Sequence, residues 1–342
     1  VSHLNSVQDD EAFRDSYRDC LPVISDYATG LAQDERIYAQ YKAVRDSKAF
    51  ATLDESAQKL IENALRDFRL SGVDLPDNKK LRFKEIQSEL STLGNRFEQN
   101  ILDATDNWFL HITDEQQLSG LPETARSLGR ELAAKKELDG CVFNLQAPSY
   151  LPLVMFADDR GLREQIYQAY VTRASETGPD AGKWDNAETI DRILELRREK
   201  AALLGFDDYV EYALQTRMAN NGEQIAEFLS QLAAAAKPAG EREFIELSAF
   251  ASQDGITELQ AWDIPYFSEK LRQQQYDISQ EEVRPWFPLD RVLEGMFGVV
   301  SRLYGLTIVE RSDVDAWHPD VRYFEITDAD ERPRGRFFLD LF

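Results

Sequence analysis

The feature that most limits the possible folds is a run of apolar residues spaced three or four apart between residues 86 and 108. The run consists of Ile86, Leu90, Leu93, Phe97, Ile101, Ala104 and Trp108. This spacing places all of them on one face of an α-helix, and that face must pack against other elements to be removed from water. The sequence therefore predicts an amphipathic helix of several turns within a mainly helical fold.

Other segments repeat this helical periodicity. A helix that carries Leu60, Leu65 and Phe68 ends at Ser71-Gly72, and a loop through Pro76 leads from it to the long helix. We expect these two helices to lie antiparallel as a hairpin. Further helices are predicted after Pro122, after Asp158-Asp159, after Asp185, and over residues 225–236, 241–250, 264–275 and 289–304, with Pro238 and Gly240 separating the segments 225–236 and 241–250.

Two regions have the character of strands. Residues 140–157 carry no charge, and Pro148 and Pro152 divide them into a predicted strand, turn and strand, the first strand being Cys141–Gln146. Residues 321–326 and 336–341 predict a β-hairpin with a long connection. The expected fold is mainly α with a small β-sheet that begins near the C-terminus, in three parts: residues 1–140, 141–305 and 306–342.

The charge of the chain limits its partners. Among 342 residues, 39 are Lys or Arg and 62 are Asp or Glu, which gives a formal net charge of −23. Phosphate groups of nucleic acids and anionic lipids would repel such a chain, so we expect neither nucleic acid nor a membrane as partner.

The cysteine count indicates the compartment. Two cysteines, Cys20 and Cys141, cannot form a disulfide framework in a chain of this size. Residues 1–13 lack the basic start and apolar run of a signal peptide. We therefore expect reduced thiols and a cytoplasmic location.

Histidines offer no recognisable metal site. His3, His111 and His318 lie far apart in the sequence, and no His-Glu-x-x-His motif is present. His318 could form a carboxylate–histidine site with Asp320 and Glu325, but one imidazole does not make a typical zinc site. Donation by His318 to a backbone carbonyl beside Pro319 is the simpler interpretation.

Motifs for nucleophilic and nucleotide chemistry are also absent. The sequence contains no Gly-x-Ser-x-Gly, no Gly-x-Gly-x-x-Gly and no P-loop motif. Cys141 is followed by Val142 and Phe143, which favours a buried, inert thiol over a nucleophile, and we interpret Cys20 as inert as well. The loop Thr177–Gly182, followed by Lys183, has the wrong spacing for a phosphate cradle and is interpreted as an interhelical connection.

Carboxylate pairs and aromatic residues have both structural and functional interpretations. At this density of acidic residues, Asp158-Asp159 and Glu281-Glu282 are better explained as helix caps or solvated faces than as acid/base pairs. An aromatic cluster is more distinctive: Trp262, Tyr266, Phe267, Tyr276, Trp286 and Phe287. We expect it to pack helices together, and a substrate groove is the alternative.

The two ends of the chain predict a fragment. Its first residue is not Met, and residues 335–342 have the pattern of a strand without a following turn or polar tail. Such an end would leave backbone groups unpaired. We therefore expect residues to be missing at both ends.

Several distinctive sequence blocks follow one another from near the first residue of the chain to its end: Val1–Ser6, Leu162-Arg-Glu164, Tyr167, Tyr170, Arg173–Ser175, Gly182–Asn186, Trp262-Asp-Ile-Pro-Tyr-Phe-Ser-Glu-Lys270, Tyr276, Arg284-Pro-Trp-Phe-Pro288, Leu303-Tyr-Gly305, Val314–Val321 and Gly335–Leu341. In this order they resemble the thimet oligopeptidase family. Pro265, Phe267 and Phe342 depart mildly from the family pattern.

The resemblance implies a zinc metallopeptidase that cleaves short peptides in a deep channel between two mainly helical halves. In that family two His of a His-Glu-x-x-His helix and a later Glu hold the zinc, and the Glu of the motif is the general base. This chain contains none of those positions. Catalytic and metal residues are therefore assigned to none of its side chains, and its substrate-binding residues stay unassigned.

The resemblance also implies a role for this chain. It would supply one channel wall and, through residues 335–342, a strand of the sheet beside which an extended peptide lies. Its partners would be short peptides and the missing C-terminal catalytic half, its zinc would be bound only in the full-length protein, and alone it would be inactive.

Two other interpretations stay open. The chain could be a non-catalytic helical module that binds a peptide or a partner helix, or a degenerate enzyme whose gene ends here. An exposed apolar surface where the second half docks, and self-association through it, would favour a fragment.

Overall fold

The computed structural model describes residues 2–8 and 10–341, without the side chains of residues 280 and 281. Its helices are α1 (Ser2–Val7), α2 (Glu11–Ala32), α3 (Glu35–Arg45), α4 (Glu55–Leu70), α5 (Asp77–Asn107), α6 (Glu123–Lys135), α7 (Ala147–Phe156), α8 (Arg160–Val171), α9 (Ala187–Leu203), α10 (Tyr209–Leu214), α11 (Gly222–Ser252), α12 (Ile264–Tyr276), α13 (Gln280–Val283) and α14 (Leu289–Tyr304). Its strands are β1 (Phe109–Ile112), β2 (Cys141–Asn144), β3 (Thr307–Arg311), β4 (Arg322–Thr327) and β5 (Pro333–Leu339). The predicted mainly α fold is confirmed.

The chain divides into two compact units. The smaller unit comprises residues 1–10 and 269–342, and the larger unit comprises residues 11–268. The division of the chain into 1–140, 141–305 and 306–342 stays a prediction.

The predicted apolar run lies in α5, a helix of 31 residues, except for its last member, Trp108, which follows the helix in extended backbone. Phe83 and Ile86 are buried on its inner face. Two paired ion contacts join α5 to the antiparallel helix α9: Arg82 donates to Glu199 at 2.6 and 2.8 Å, and Arg192 donates to Glu89 at 2.6 and 3.0 Å. The other chief partner of α5 is α2.

The expected hairpin of α4 and α5 is not the main packing of either helix. The chief partner of α4 is α3, and the ring of Phe68 lies 5.8 Å from that of Tyr38 and 5.7 Å from that of Tyr41. These aromatic contacts hold α4 against α3, so the loop through Pro76 separates two helices that pack with other partners.

The uncharged stretch at residues 140–157 contains one strand, β2, and then a helix, α7, where a second strand was predicted. Pro148 lies in the first turn of α7, where a missing N–H costs nothing. Leu153 and Val154 are buried, and periodicity alone does not distinguish a short apolar helix from a strand. Among the described residues, no helix is both long and apolar enough to cross a membrane.

Helix α11 corrects a second prediction. Pro238 lies inside one helix of 31 residues, whereas the sequence predicted two helices split at that point. The helix is exposed around Pro238, so water can reach the carbonyl that the proline leaves without an N–H.

The larger unit contains a two-stranded sheet that contributes residues to its core. Strands β1 and β2 pair antiparallel, with Leu110 opposite Phe143. The sequence did not predict β1, which follows directly after α5. The core cluster comprises Ile112, Leu118, Leu121, Cys141, Phe143, Leu145, Tyr150, Leu153, Val154, Ala157, Leu162, Ile166 and Ala169.

The smaller unit contains a three-stranded antiparallel sheet in the order β3-β4-β5. The predicted hairpin is confirmed as β4 and β5, with Phe324 opposite Phe337, although β5 begins earlier than predicted and β3 was not predicted. Helix α14 ends at Gly305, whose φ of +65° permits the left-handed cap. The predicted last strand residue, Phe342, lies outside the described residues.

Packing of α5 predicts a clear difference between two variants of that helix. Ile86 is fully buried and Leu81 is 65% exposed. We expect Ile86→Ala to lower the free energy of unfolding by about 2–5 kcal/mol through lost burial and a residual cavity. Leu81→Ala should change it by less than about 0.5 kcal/mol. Denaturant unfolding followed by circular dichroism measures both, and equal effects would contradict the assigned inner face.

Candidate functional site

The block at residues 262–270, one of those that resemble the family and called the signature block below, contributes a buried carboxylate to the larger unit. The side chain of Asp263 is 0% exposed. It accepts hydrogen bonds from Arg160 at 2.7 and 3.0 Å, from Arg163 at 3.0 Å and from the backbone N–H of Gln260 at 3.0 Å. Two cations from the start of α8 therefore surround one anion at the start of α12.

Arg163 is itself buried and makes further contacts. It donates to the carbonyl oxygens of Ala157 at 2.7 Å and of Asp158 at 3.2 Å. Its guanidinium lies 4.0 Å from the centre of the Tyr266 ring. The Tyr266 hydroxyl in turn donates to the carboxylate of Asp158 at 2.8 Å. Two signature residues, Asp263 and Tyr266, thus hold the N-terminal end of α8 in place.

The charge state of Asp263 follows from competing effects. Burial alone would raise the pKa of its carboxyl, but the hydrogen bonds from Arg160, Gln260 and Arg163 outweigh burial and lower that pKa below its usual value. Both carboxylate oxygens are occupied by these donors. This arrangement suits a structural ion pair rather than a proton-transferring acid or base.

His3 belongs to a small polar group in the smaller unit. Its Nε2 lies 2.9 Å from a carboxylate oxygen of Asp340, and the indole N–H of Trp317 donates to the same oxygen at 3.0 Å. The rings of His3 and Trp317 meet edge to face at 5.3 Å. Hydrogen bonds from His3 and Trp317 lower the pKa of Asp340.

The other two histidines have separate partners. His111 lies 2.6 Å from the carbonyl oxygen of Asp139. The Nδ1 of His318 accepts from the backbone N–H of Asp320 at 3.3 Å, whereas the sequence interpretation made His318 a donor to a carbonyl. Glu325 is bound by two arginines instead of His318. Within residues 2–8 and 10–341, no three His, Cys, Asp or Glu side chains come together as a metal site.

The two cysteines differ in exposure. Cys141 is buried, and burial raises the pKa of its thiol. Its Sγ lies 3.7 Å from the carbonyl oxygen of Arg126. These features are those of an inert core thiol, as predicted. Cys20 is exposed on α2.

The loop with Gly178 and Gly182 connects α8 to α9. The Nζ of Lys183 lies 4.0 Å from the centre of the Trp184 ring and 3.9 Å from a carboxylate oxygen of Asp180. The lysine therefore interacts with its own loop, which suits the predicted interhelical connection.

One member of each predicted carboxylate pair caps a helix, whereas Asp158 accepts from the hydroxyls of Ser119 and Tyr266. Asp159 accepts from the backbone N–H groups of Gly161 at 2.8 Å and Leu162 at 3.2 Å, as an N-cap of α8. Ser279 and Glu282 exchange side-chain and backbone hydrogen bonds at 3.2 Å, which forms a capping box. The side chain of Glu281 lies outside the described residues.

The structure divides the predicted aromatic cluster. In the larger unit, Trp262 lies 6.0 Å from Tyr167, and Phe267 packs edge to face on Phe250 at 6.3 Å and on Tyr266 at 5.1 Å. These contacts confirm the helix-packing interpretation for that half. The remaining members lie exposed in the smaller unit: Tyr276, Trp286 and Phe287.

The sheet of the smaller unit has two different faces. On one face, Phe297 of α14 packs on Phe324 at 5.1 Å and on Phe337 at 6.3 Å. On the other face, Phe338 lies 4.8 Å from Tyr323 and 4.9 Å from Trp317. Aromatic contacts therefore pack the β4–β5 hairpin against α14 on one face and against Trp317 on the other.

Glu325 ties the three strands together across the second face. It accepts from Arg311 of β3 at 3.0 Å and from Arg336 of β5 at 3.0 Å. These two hydrogen bonds lower the pKa of Glu325. The sequence could not reveal this role, because the three residues become neighbours only in the register of the sheet.

Strand β5 is the candidate binding element. Among the described residues it forms an outer edge of its sheet, with β4 on one side, and all of its residues are exposed or half-buried. An edge strand carries backbone N–H and C=O groups that can pair with an added extended chain. Such pairing reads main-chain groups, so it suits peptides of varied sequence.

Two family models match the chain. The model described as "Peptidase family M3" matches residues 153–342, and the model described as "Neurolysin/Thimet oligopeptidase, N-terminal domain" matches residues 1–80. The first match includes the Asp263 network and the whole three-stranded sheet.

Curated relatives extend over the whole chain. Oligopeptidase A of Escherichia coli is 48% identical over 343 residues, which cover 100% of this chain and 50% of the relative. Probable cytosolic oligopeptidase A of Arabidopsis thaliana is 36% identical over 99% of this chain and 49% of the relative. Dipeptidyl carboxypeptidase of Escherichia coli is 30% identical over 93% of this chain and 47% of the relative. The chain thus spans about half the length of these relatives.

The Asp263 network predicts a large loss of stability in Asp263→Asn. The substitution keeps the shape of the side chain but leaves Arg163 buried without a counter-charge, which costs about 3–5 kcal/mol. The control Asp15→Asn breaks an exposed pair with Arg18 at 2.7 Å and should cost about 1 kcal/mol or less. Equal losses in denaturant unfolding would refute the network.

The same variant predicts a change in acid stability. Because the folded-state pKa of Asp263 is lowered, the ionised carboxylate makes its full contribution to the free energy of unfolding above the ordinary aspartate pKa of about 4. That contribution is lost as the pH falls from there through the folded-state pKa. The unfolding free energy of the wild-type chain should therefore fall more steeply below about pH 4 than that of Asp263→Asn. Parallel curves would contradict the assigned charge state.

Proposed function

The chain belongs to peptidase family M3, and from this premise we propose that it is one half of a zinc-dependent oligopeptidase that hydrolyses short peptides. The observation that carries the proposal is the match to oligopeptidase A over the full length of this chain and half the length of the relative. The relative's activity is thereby extended to the full-length form of this protein.

Under this proposal the zinc ligands and the general base lie outside this chain. The three histidines do not fit a zinc site, because among the described residues no three His, Cys, Asp or Glu side chains come together around any of them. When bound in the full-length protein, zinc would activate a water molecule and polarise the scissile carbonyl. This chain would contribute none of the metal ligands and would be inactive alone.

The proposed contribution of this chain is to hold the substrate. The free edge of β5 would pair with an extended peptide through main-chain hydrogen bonds, which places the peptide without a demand on its side chains. The helices of the larger unit would form a wall of the channel that admits only short, unfolded peptides. The aromatic contacts of Phe337 and Phe338 support this role, because they hold β5 in one register.

We also propose a cytoplasmic location, with short peptides as substrates and neither nucleic acid nor membrane as partner. The net charge of −23 and the two unpaired cysteines support this part of the proposal. One relative carries the word cytosolic in its name.

Hydrolysis of a short fluorogenic peptide tests the activity. The full-length protein should cleave the peptide, lose activity when a chelator removes its metal, and recover it when zinc is added back. The chain of residues 1–342 should give no product in a single-turnover assay at excess protein. Cleavage by this chain alone would contradict the proposal that the catalytic residues lie outside it. Peptide binding without cleavage by the full-length protein would favour a non-catalytic binding module.

Backbone methylation of the peptide tests pairing with β5. A non-cleavable peptide is N-methylated at one residue at a time, and its affinity for the full-length protein is measured. Methylation at every second residue should weaken binding by about 3–10-fold, because each lost hydrogen bond to β5 is worth about 0.5–1.5 kcal/mol net. The intervening positions, whose N–H groups point away from β5, are the matched controls. A uniform loss at all positions would argue against strand addition.

A further inference from the structure

Helix α14 carries an apolar stripe that no other described element covers fully. Its members are spaced three or four apart and are all exposed: Leu289, Val292, Met296, Val299 and Leu303. Met296 is 48% exposed and Leu303 is 69% exposed. The spacing places the five side chains along one side of the helix. An exposed stripe of this length normally marks a contact surface.

The stripe is separate from the side of α14 that packs on the sheet. Leu293 is buried, and Phe297 contacts Phe324 and Phe337. The helix is therefore apolar on two adjacent sides, and only its third side carries charges, including Glu294 and Arg302. A surface helix that served the sheet alone would need only one apolar side.

Exposed aromatic residues precede the stripe in the same unit. Trp286 is 81% exposed and Phe287 is 66% exposed, directly before α14 begins. Large aromatic side chains bury much area when they find a partner and are enriched in interfaces. They add to the apolar character of this part of the smaller unit.

We propose that the α14 stripe is the surface on which the second half of the full-length polypeptide packs. This inference rests on the proposed function, which places the catalytic residues in that second half. The occupant is chosen because relatives that match this chain from end to end have about twice its length. An anionic lipid surface is a poor alternative for a chain of charge −23.

Site-specific thiol labelling tests the proposal in the intact protein. Met296→Cys is made in the full-length protein and in the chain of residues 1–342, and the rate of maleimide labelling at position 296 is measured by mass spectrometry. Glu294→Cys, on the charged side of the same helix, is the matched control. Both substitutions are at exposed positions, and circular dichroism verifies that the variants fold.

We expect labelling at position 296 to be at least about tenfold slower in the full-length protein than in the shorter chain, because an opening step would precede reaction. The rate at position 294 should differ by less than about threefold between the two forms. Equal rates at position 296, or equal protection at both positions, would overturn the assignment of this stripe. Protection in the shorter chain that disappears on dilution would show that a second copy is the occupant and would also overturn it.

Peptide hydrolysis is measured on the same full-length preparation, so the two proposals can fail separately. Protection without hydrolysis supports the packing surface and contradicts the proposed activity. Hydrolysis without protection supports the activity and contradicts the packing surface.

Discussion

One buried carboxylate, Asp263, connects the block at residues 262–270 to the start of helix α8. It is surrounded by Arg160 and Arg163, and Arg163 in turn contacts Tyr266 and two backbone carbonyls. A buried pair of this kind adds little net stability over an apolar pair, but removal of either charge is costly. The network therefore constrains the start of α8 and the start of α12 to one relative arrangement, and the core around Ile166 packs within that constraint.

Periodicity in the sequence predicted the helices well where apolar residues repeat over many turns, as in α5 and α14. It was wrong where local signals and tertiary packing disagree. Pro152 and Pro238 each indicate a break, yet both lie inside helices, because burial stabilises α7 and solvent satisfies the exposed backbone of α11. The antiparallel pairing of α5 with α9 brings together ion-pair partners about a hundred positions apart, which no local pattern reveals.

The candidate site shows the same limit. A resemblance of ordered sequence blocks predicted the family, and the family match confirms it. The physical role of the most distinctive block was not predictable, since Asp263 acquires its partners only when α8 and α12 fold together. The sequence likewise did not predict β3, the strand that places β4 in the middle of the sheet and leaves β5 as one of its two outer strands.

Under the proposed function, this chain shapes a peptide site whose metal is held elsewhere in the full-length polypeptide. Metal content after extensive dialysis tests this most directly, measured by elemental mass spectrometry on the full-length protein and on residues 1–342 prepared in parallel. We expect about one zinc per full-length molecule, as in a catalytic zinc site, and none on the shorter chain. Stoichiometric zinc on residues 1–342, or a full-length protein that hydrolyses peptides without any metal, would contradict it.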